Sequence, residues 1–231
     1  MWRGCLSNLI LRESFMSIEN ILQERQIQYL CHFTRLENLE SILTHGLIPR
    51  SNLYNAEFNP NPSLSIHGIF NDRYRIDGKP DATSLSISFP NSSMFYGLRC
   101  SNNSAQWAVI VLSARVLIDK NCAFYPTNAA NSSVNSMPIS HFKGVSALNR
   151  LFESDNTNRQ YLLDKDPTDV QAEVLVFDNI EPRYIYGAVL KRTEDIENFQ
   201  LLFPNFTFVK YERWGYWDDR FNARLNNFIG Y

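Results

Sequence analysis

Residues 28–46 read QYLCHFTRLENLESILTHG, and this stretch joins two different local patterns. Its first part, QYLCHF (28–33), is an apolar and aromatic run that predicts a β-strand. Thr34 and Glu37 match a capping box, in which a threonine caps a helix and a glutamate bonds back to it. Apolar residues then recur at helical spacing until Gly46, which predicts the helix end. This strand and the capped helix after it form the unit from which we predict the fold.

The rest of the chain contains strands that do not alternate regularly with helices. Strands are predicted at 84–89, 107–113, 173–178, 184–190 and 205–211, and helices at 17–26, where Ser17 is the expected N-cap, and at 145–152. Segments with little pattern at 51–84 and 126–144 are predicted as long loops. Because the elements mix without β–α alternation, the sequence favours the α+β class over a doubly wound sheet.

The overall composition describes a globular protein without a strong charge. Lys and Arg number 22 against 24 Asp and Glu, so the formal net charge is −2 and any nucleic-acid contact must come from a local patch. No apolar run approaches the roughly 20 residues that span a bilayer. We therefore expect a cytoplasmic protein without membrane contact. We also expect a single domain over residues 16–231, preceded by an N-terminal extension over residues 1–15.

The cysteines and the absence of several motifs argue against other kinds of site. The four cysteines, at 5, 31, 100 and 122, form no Cys-x-x-Cys pair and no Cys/His cluster at metal spacing, so no metal is predicted. Cys31 and Cys122 lie in apolar contexts that predict small buried side chains. The sequence has no G-x-G-x-x-G, Walker or G-x-S-x-G motif, which argues against dinucleotide-fold, nucleoside-triphosphatase and serine-hydrolase functions.

Three polar features beside predicted strands are candidates for chemistry. Gln171 and Glu173 stand at the head of a buried strand, and alternation would place both on one face. His32 lies near the end of the first strand. A serine-bearing strand over 84–88 follows an arginine-bearing, turn-prone loop. Each feature alone is explained as readily by a solvated strand end, a core histidine or exposed loop charges.

Taken in chain order, these segments resemble the DarT-type ADP-ribosyltransferase toxins, which modify bases in single-stranded DNA. HFTRLENLESILTHGLIPRSNL (32–53) resembles the family's opening motif, in which a His-Phe-Thr strand end runs into an Asn-Leu-x-x-Ile-Leu-x-x-Gly helix. NDRYRIDG (71–78) matches its arginine-bearing loop, and SISFPNSSMFY (86–96) resembles the segment that follows. QAE (171–173) matches the context of the family's catalytic glutamate. The resemblance covers about residues 28–190.

The resemblance implies an ADP-ribosyltransferase fold, in which two small packed β-sheets with flanking helices surround a cleft for NAD as co-substrate. Glu173 would be the catalytic carboxylate, bonding a ribose hydroxyl and facing the positive charge that develops as nicotinamide leaves. Spacing does not choose between Arg73 and Arg75 for the pyrophosphate; we assign Arg73 to catalysis and Arg75 to cofactor binding. The remaining predicted cofactor contacts are His32, on a ribose hydroxyl, together with Thr34, Ser86 and Ser88.

The same resemblance implies a nucleic-acid substrate and a protein partner. Gln171 would contact the acceptor base, and the loop over 126–144 occupies the position of the substrate-recognition loop in relatives. The side chains predicted to contact the base from this loop or its ends are Tyr125, Asn128, His141 and Lys143. Bases in a duplex are hidden, so single-stranded DNA is the expected substrate. The implied partner is a macrodomain antitoxin that removes the modification, and the protein is expected to be a monomer.

The sequence leaves the acceptor base and the reaction class open. The thymidine-modifying branch of the family has Asp-Tyr-Val-Pro-Phe-Tyr-Phe where this chain has DATSLSISF (81–89), so guanosine is the favoured base and thymidine the alternative. A second reading keeps the fold but has RNA or protein as acceptor, or water in a plain NAD glycohydrolase. A third reading is a non-catalytic module that binds nucleic acid or a partner.

Overall fold

Seven strands form the centre of the structure, a computed structural model that describes residues 17–55, 78–153 and 159–230. The strand order is β4-β5-β2-β1-β3-β6-β7. All neighbouring strands pair antiparallel except β6 and β7, which are parallel. The strands are β1 (Tyr29–Arg35), β2 (Thr83–Ile87), β3 (Trp107–Ser113), β4 (Cys122–Tyr125), β5 (Glu173–Val176), β6 (Ile185–Leu190) and β7 (Thr207–Lys210).

Helices cover both faces of these strands. They are α1 (Ile18–Glu24), α2 (Leu39–His45), α3 (Arg50–Leu53), α4 (Ser92–Ser101), α5 (Val116–Asp119), α6 (Gly144–Arg150), α7 (Thr193–Leu202) and α8 (Arg220–Leu225). Short 3₁₀ turns lie at Leu36–Asn38, Ile139–Phe142 and Pro182–Tyr184. The mixture of elements confirms the predicted α+β class.

Strand β2 joins two groups of strands that the resemblance implied as separate sheets. Thr83, Ser84 and Leu85 pair with β5, whereas the end of β2 pairs with β1 at Ser86 and Ile87. The contact between β1 and β2 is therefore only two residue pairs long, while β1 and β3 pair at seven positions. The strand order is continuous because the two ends of β2 have different partners.

The apolar core is divided between the two faces of the sheet. In β3 the side chains of Ala108, Ile110 and Leu112 pack with the helices α1, α2 and α6, and the alternate residues pack with α4 and the C-terminal segment. Both faces of β3 are thus covered, which explains why WAVIVLS (107–113) has no polar alternation. A third, smaller cluster around Tyr125 lies under the loop over 126–144.

Two of three predicted helix ends are confirmed and one is wrong. Ser17 accepts from the Asn20 N–H and caps α1. Gly46 ends α2 at φ +87°, where a Cβ would lie 2.1 Å from the Ile180 carbonyl oxygen. Thr34 does not cap a helix, because it belongs to β1 and α2 begins only at residue 39. Instead its Oγ1 accepts from the side chain of Asn38 at 3.0 Å.

Cys31 and Cys122 are buried, as the sequence predicted. Burial raises the pKa of each thiol to about 12, and for Cys31 a hydrogen bond with Tyr216 acts in the opposite direction. Within the described ranges, no three His, Cys, Asp or Glu side chains form a group that could hold a metal ion. The same ranges contain no helix with the length and apolar character needed to cross a bilayer.

A buried ionic network fastens the C-terminal helix to the segment that precedes β5. Asp166 is fully buried and accepts from Arg224 Nε at 2.7 Å and Nη2 at 2.6 Å. Ser88, just after β2, donates to the same carboxylate at 2.6 Å, and so does the Leu163 N–H at 3.0 Å. Burial alone would raise the pKa of Asp166, but the bonds and charge of Arg224 bring it below its ordinary value.

Replacing Asp166 by asparagine tests the contribution of this network to stability. We expect D166N to lower the free energy of unfolding by about 3–5 kcal/mol, because Arg224 would stay buried without a compensating charge. Urea denaturation followed by tryptophan fluorescence measures the change. The matched control is D195N, whose carboxylate lies 3.6 Å from the half-exposed Arg192 and whose loss should cost less than about 1 kcal/mol.

The same variant also changes the response to acid. Since the folded-state pKa of Asp166 is depressed, its contribution to stability is complete above the unfolded-state pKa of about 4 and is lost as the pH falls through the folded-state value. D166N should therefore lose less stability than the wild type below about pH 4. Equal unfolding free energies for D166N and D195N at pH 7 would contradict the assigned role.

Candidate active site

A carboxylate is buried at the head of β5. Glu173 is only 8 % exposed, and its strand pairs with β4 on one side and β2 on the other. The hydroxyl of Ser84 donates to one carboxylate oxygen, and the Ala129 N–H donates to the other at 2.5 Å. A buried carboxylate requires such donors to offset the loss of water. Glu173 is therefore held by β2 on one side and by the loop after β4 on the other.

The imidazole of His32 contacts the same residue of β2. Its Nδ1 lies 3.0 Å from the main-chain carbonyl oxygen of Ser84. A carbonyl oxygen only accepts hydrogen bonds, so Nδ1 carries the proton and, in the neutral ring, Nε2 is the accepting nitrogen. A histidine in this tautomer can accept from a hydroxyl of a bound ligand. Ser84 thus contacts both residues: its main-chain carbonyl oxygen contacts His32, and its hydroxyl contacts Glu173.

These three side chains lie where β1 and β2 part. The two strands pair at Leu30 with Ile87 and at Cys31 with Ser86, and no further pair follows. His32 is the first residue of β1 beyond the paired positions. The site is thus formed at the end of a short two-strand contact, where the backbone opens.

Three other predicted cofactor contacts have partners within the protein. Thr34 is buried and accepts from Asn38, as described above. Ser86 is buried, and its hydroxyl oxygen accepts from the Asn91 N–H at 3.2 Å. Ser88 belongs to the Asp166 network and not to the strand, because β2 ends one residue earlier. The contacts of Thr34, Ser86 and Ser88 with a cofactor stay predictions.

Tyr125 is a core residue in this structure. Its side chain is fully buried, and its ring stacks on Phe142 with the ring centroids 3.9 Å apart. This packing holds the two ends of the loop over 126–144 together. The ring presents no face to solvent in this structure, and its contact with a base stays a prediction. The apolar character of the preceding residues in β4 is the signal that predicts its burial.

The other candidate residues of this loop lie at or near the surface. Asn128 accepts from the Ala130 N–H at 2.9 Å and so shapes the turn that delivers Ala129 to Glu173. His141 is exposed. Lys143 donates to the Asn121 side chain at 2.5 Å, and desolvation lowers the pKa of its ammonium group. Their contacts with a base stay predictions.

Gln171 does not share a face with Glu173 as alternation predicted. Strand β5 begins at Glu173, and Gln171 lies in the preceding turn, where its N–H donates to Asp169 Oδ1 at 2.8 Å. Its side chain is exposed while that of Glu173 is buried. Side chains alternate between the two faces only within a strand, and Gln171 lies outside β5. Arg73 and Arg75 lie outside the described residues.

The sequence did not single out two of the groups that hold Glu173. Ser84 belonged to a recognised serine pattern, but nothing in that pattern separated it from Ser86 and Ser88. The Ala129 N–H has no sequence signal, because any residue except proline supplies one. The Asp166 network was also missed, since its two charged partners are 58 residues apart in the chain.

Comparison with known proteins agrees with the resemblance found in the sequence. A sequence profile of the family described as ssDNA thymidine ADP-ribosyltransferase, DarT, matches residues 31–215. No match was found among curated proteins.

Several solved structures have a similar fold. Thermus sp. 2.9 DarT in complex with ADP-ribosylated ssDNA aligns with a TM-score of 0.55 and 16% identity over 83% of this chain and 97% of that chain. The same protein in complex with NAD+ aligns with a TM-score of 0.52 and 17% identity, over 81% of this chain and 97% of that chain. Thermosipho africanus DarTG in complex with ADP-ribose aligns with a TM-score of 0.53 and 16% identity, over 79% of this chain and 50% of that chain. The present chain therefore spans half the length of the DarTG chain.

At sequence identities this low, the structural similarity shows only the fold, and the family is assigned from the sequence profile. The matched residues include β1, the strand that contains His32, and β5, which begins with Glu173. The profile extends over most of the chain. The chain therefore belongs to the DarT family of single-stranded-DNA ADP-ribosyltransferases.

Proposed function

We propose that this protein transfers ADP-ribose from NAD to a base in single-stranded DNA and releases nicotinamide. The observation that carries the proposal is the arrangement of Glu173, Ser84 and His32 at the opening between β1 and β2. Family membership supplies the reaction class, and the site supplies residues of the kind that the reaction needs.

The donor and acceptor groups of the site suit the sugar of NAD. The Glu173 carboxylate can accept from a ribose hydroxyl and can face the positive charge that develops at the anomeric carbon as nicotinamide leaves. The His32 ring, with its proton on Nδ1, can accept from a neighbouring hydroxyl through Nε2. Burial of the carboxylate strengthens its interaction with a developing charge, because little water screens it.

The pyrophosphate contact is proposed from the sequence resemblance alone. Arg73 and Arg75 stand in the arginine-bearing loop that matches the family's motif, and a guanidinium group suits phosphate oxygens. Both are retained as proposals, with Arg73 in the catalytic set.

The loop over 126–144 is the proposed site of the acceptor base. Support comes from the Ala129 N–H, which bonds Glu173 directly and brings this loop next to the carboxylate. The proposed contacts from the loop are Asn128, His141 and Lys143. Gln171, in the turn before β5, is proposed as a further contact. An enzyme that acts on a base edge needs the base outside a duplex stack, which favours single-stranded DNA.

The acceptor base is proposed as either guanosine or thymidine. The family description names thymidine. The departure of residues 81–89 from the thymidine-modifying pattern is what favoured guanosine. That segment includes Ser84, which bonds Glu173, so the departure falls within the site itself.

We also propose that the protein is a toxin controlled by a macrodomain antitoxin that removes the modification. Support comes from the resemblance and from the likeness to Thermosipho africanus DarTG, whose chain is about twice as long as the part matched here. The monomeric state, the cytoplasmic location and the single domain over 16–231 stay predictions.

Mass spectrometry of oligonucleotides tests the reaction. Purified protein is incubated with NAD and single-stranded DNA of mixed sequence, and fragmentation of the product identifies the base. We expect one added ADP-ribose per modified base and little product on the annealed duplex of the same sequence. NAD consumption without DNA modification would favour the glycohydrolase or another acceptor. Untouched NAD with a folded protein would favour the binding-module reading.

The variant E173Q tests the catalytic carboxylate. Glutamine keeps the shape: its amide oxygen can accept from the Ala129 N–H while its NH₂ group donates to Ser84, so the fold should persist. Loss of the charge should reduce transfer by a factor of about 100 or more. The matched control is E181Q, whose half-exposed carboxylate pairs with Lys120 at 2.7 Å. Near wild-type transfer by E173Q would show that the assignment is wrong.

A further inference from the structure

Ser84 makes two different contacts with the proposed machinery. Its hydroxyl donates to Glu173, and its main-chain carbonyl oxygen lies 3.0 Å from His32 Nδ1. The first contact depends on the side chain, while the second is available to any residue at this position. A substitution of Ser84 therefore removes one contact and keeps the other.

We propose that Ser84 is a positioning residue for ADP-ribose transfer, whose hydroxyl fixes the orientation of the Glu173 carboxylate. The inference rests on the proposed function, because it assigns a role in that reaction. Ser84 acts through Glu173 and need not touch NAD or DNA itself.

The geometry of β2 and β5 explains why position 84 can do this. Ser84 pairs directly with Leu175, which places Glu173 two residues away along β5 and on the same face. A diagonal neighbour of this kind is within reach of a glutamate side chain. The strand pairing on both sides fixes the two backbones, so the hydroxyl has a defined place relative to the carboxylate.

The second donor to Glu173 does not replace the serine. The Ala129 N–H bonds only one carboxylate oxygen, and the turn that carries it belongs to the proposed base-binding loop. Without the Ser84 hydroxyl the carboxylate loses the donor to its second oxygen, and its orientation is fixed less firmly. A displacement of about 1 Å in a reacting group can reduce the rate by a factor of about 100.

The neighbouring serines of β2 and its end are bound elsewhere. Ser86 accepts from Asn91, and Ser88 donates to Asp166. Among the described hydrogen bonds, Ser84 alone of the three contacts Glu173. The serine pattern in the sequence therefore contains one residue with a role in the reaction and two with roles in the framework.

Steady-state kinetics of four proteins tests the inference: the wild type, S84A, S84T and the matched control S113A. Ser113 lies at the end of β3, where its hydroxyl accepts from the Arg115 N–H at 3.3 Å. We expect S84A to lower kcat about 10- to 100-fold. The KM for NAD should change less than about threefold, because the carbonyl that holds His32 remains. S84T should recover most of kcat, since threonine restores the hydroxyl and suits a strand.

An NMR measurement reads the contact without depending on turnover. In protein with ¹³C-labelled glutamate carboxyl groups, the signal missing from E173Q identifies Glu173. We expect this signal to shift in S84A and to stay in place in S113A. An unmoved signal in S84A, or wild-type kcat in S84A, would overturn the inference. If the wild type transfers no ADP-ribose while the signal still shifts in S84A, the contact stands and the proposed function falls.

Discussion

The site depends on a carboxylate that is buried at the head of a strand and must be given hydrogen-bond donors. Glu173 obtains them from two separate segments, the side chain of Ser84 in β2 and the N–H of Ala129 in the following loop. An ionised group in this position would be costly if either segment moved away. The correct placement of β2 and of the loop is thus a condition for a functional carboxylate.

Two serines of strand β2, and a third just after it, tie the strand to other parts of the chain. Ser84 bonds Glu173 at the head of β5, Ser86 bonds the main chain just before α4, and Ser88 bonds Asp166 in the segment before β5. Each contact ties the strand to a different part of the chain. The Asp166 network extends this framework to α8 through Arg224, so the C-terminal helix supports the site without lining it.

The sequence predicts the parts of the fold in which apolar residues face the core. Strand β3 was predicted correctly for that reason. The helix end at Gly46 was predicted correctly because glycine readily adopts the positive φ that ends a helix. Helix α8 was not predicted, since Arg220 and Arg224 face inward while Phe221 is half-exposed, the reverse of the usual pattern. Within the site, Glu173 and His32 were predicted from motifs, but Ser84 was not, because its role depends on pairing between distant strands.

A crystal structure with carba-NAD+, the analogue bound in one of the similar Thermus DarT structures, would show whether Glu173 and His32 contact the sugar of the ligand. We expect one ribose hydroxyl to lie at about 3 Å from a Glu173 oxygen and a second within hydrogen-bonding distance of His32 Nε2. The bond between Ser84 and Glu173 should persist in that complex. A ligand bound elsewhere, or one that leaves Glu173 without contact to the sugar, would contradict the account.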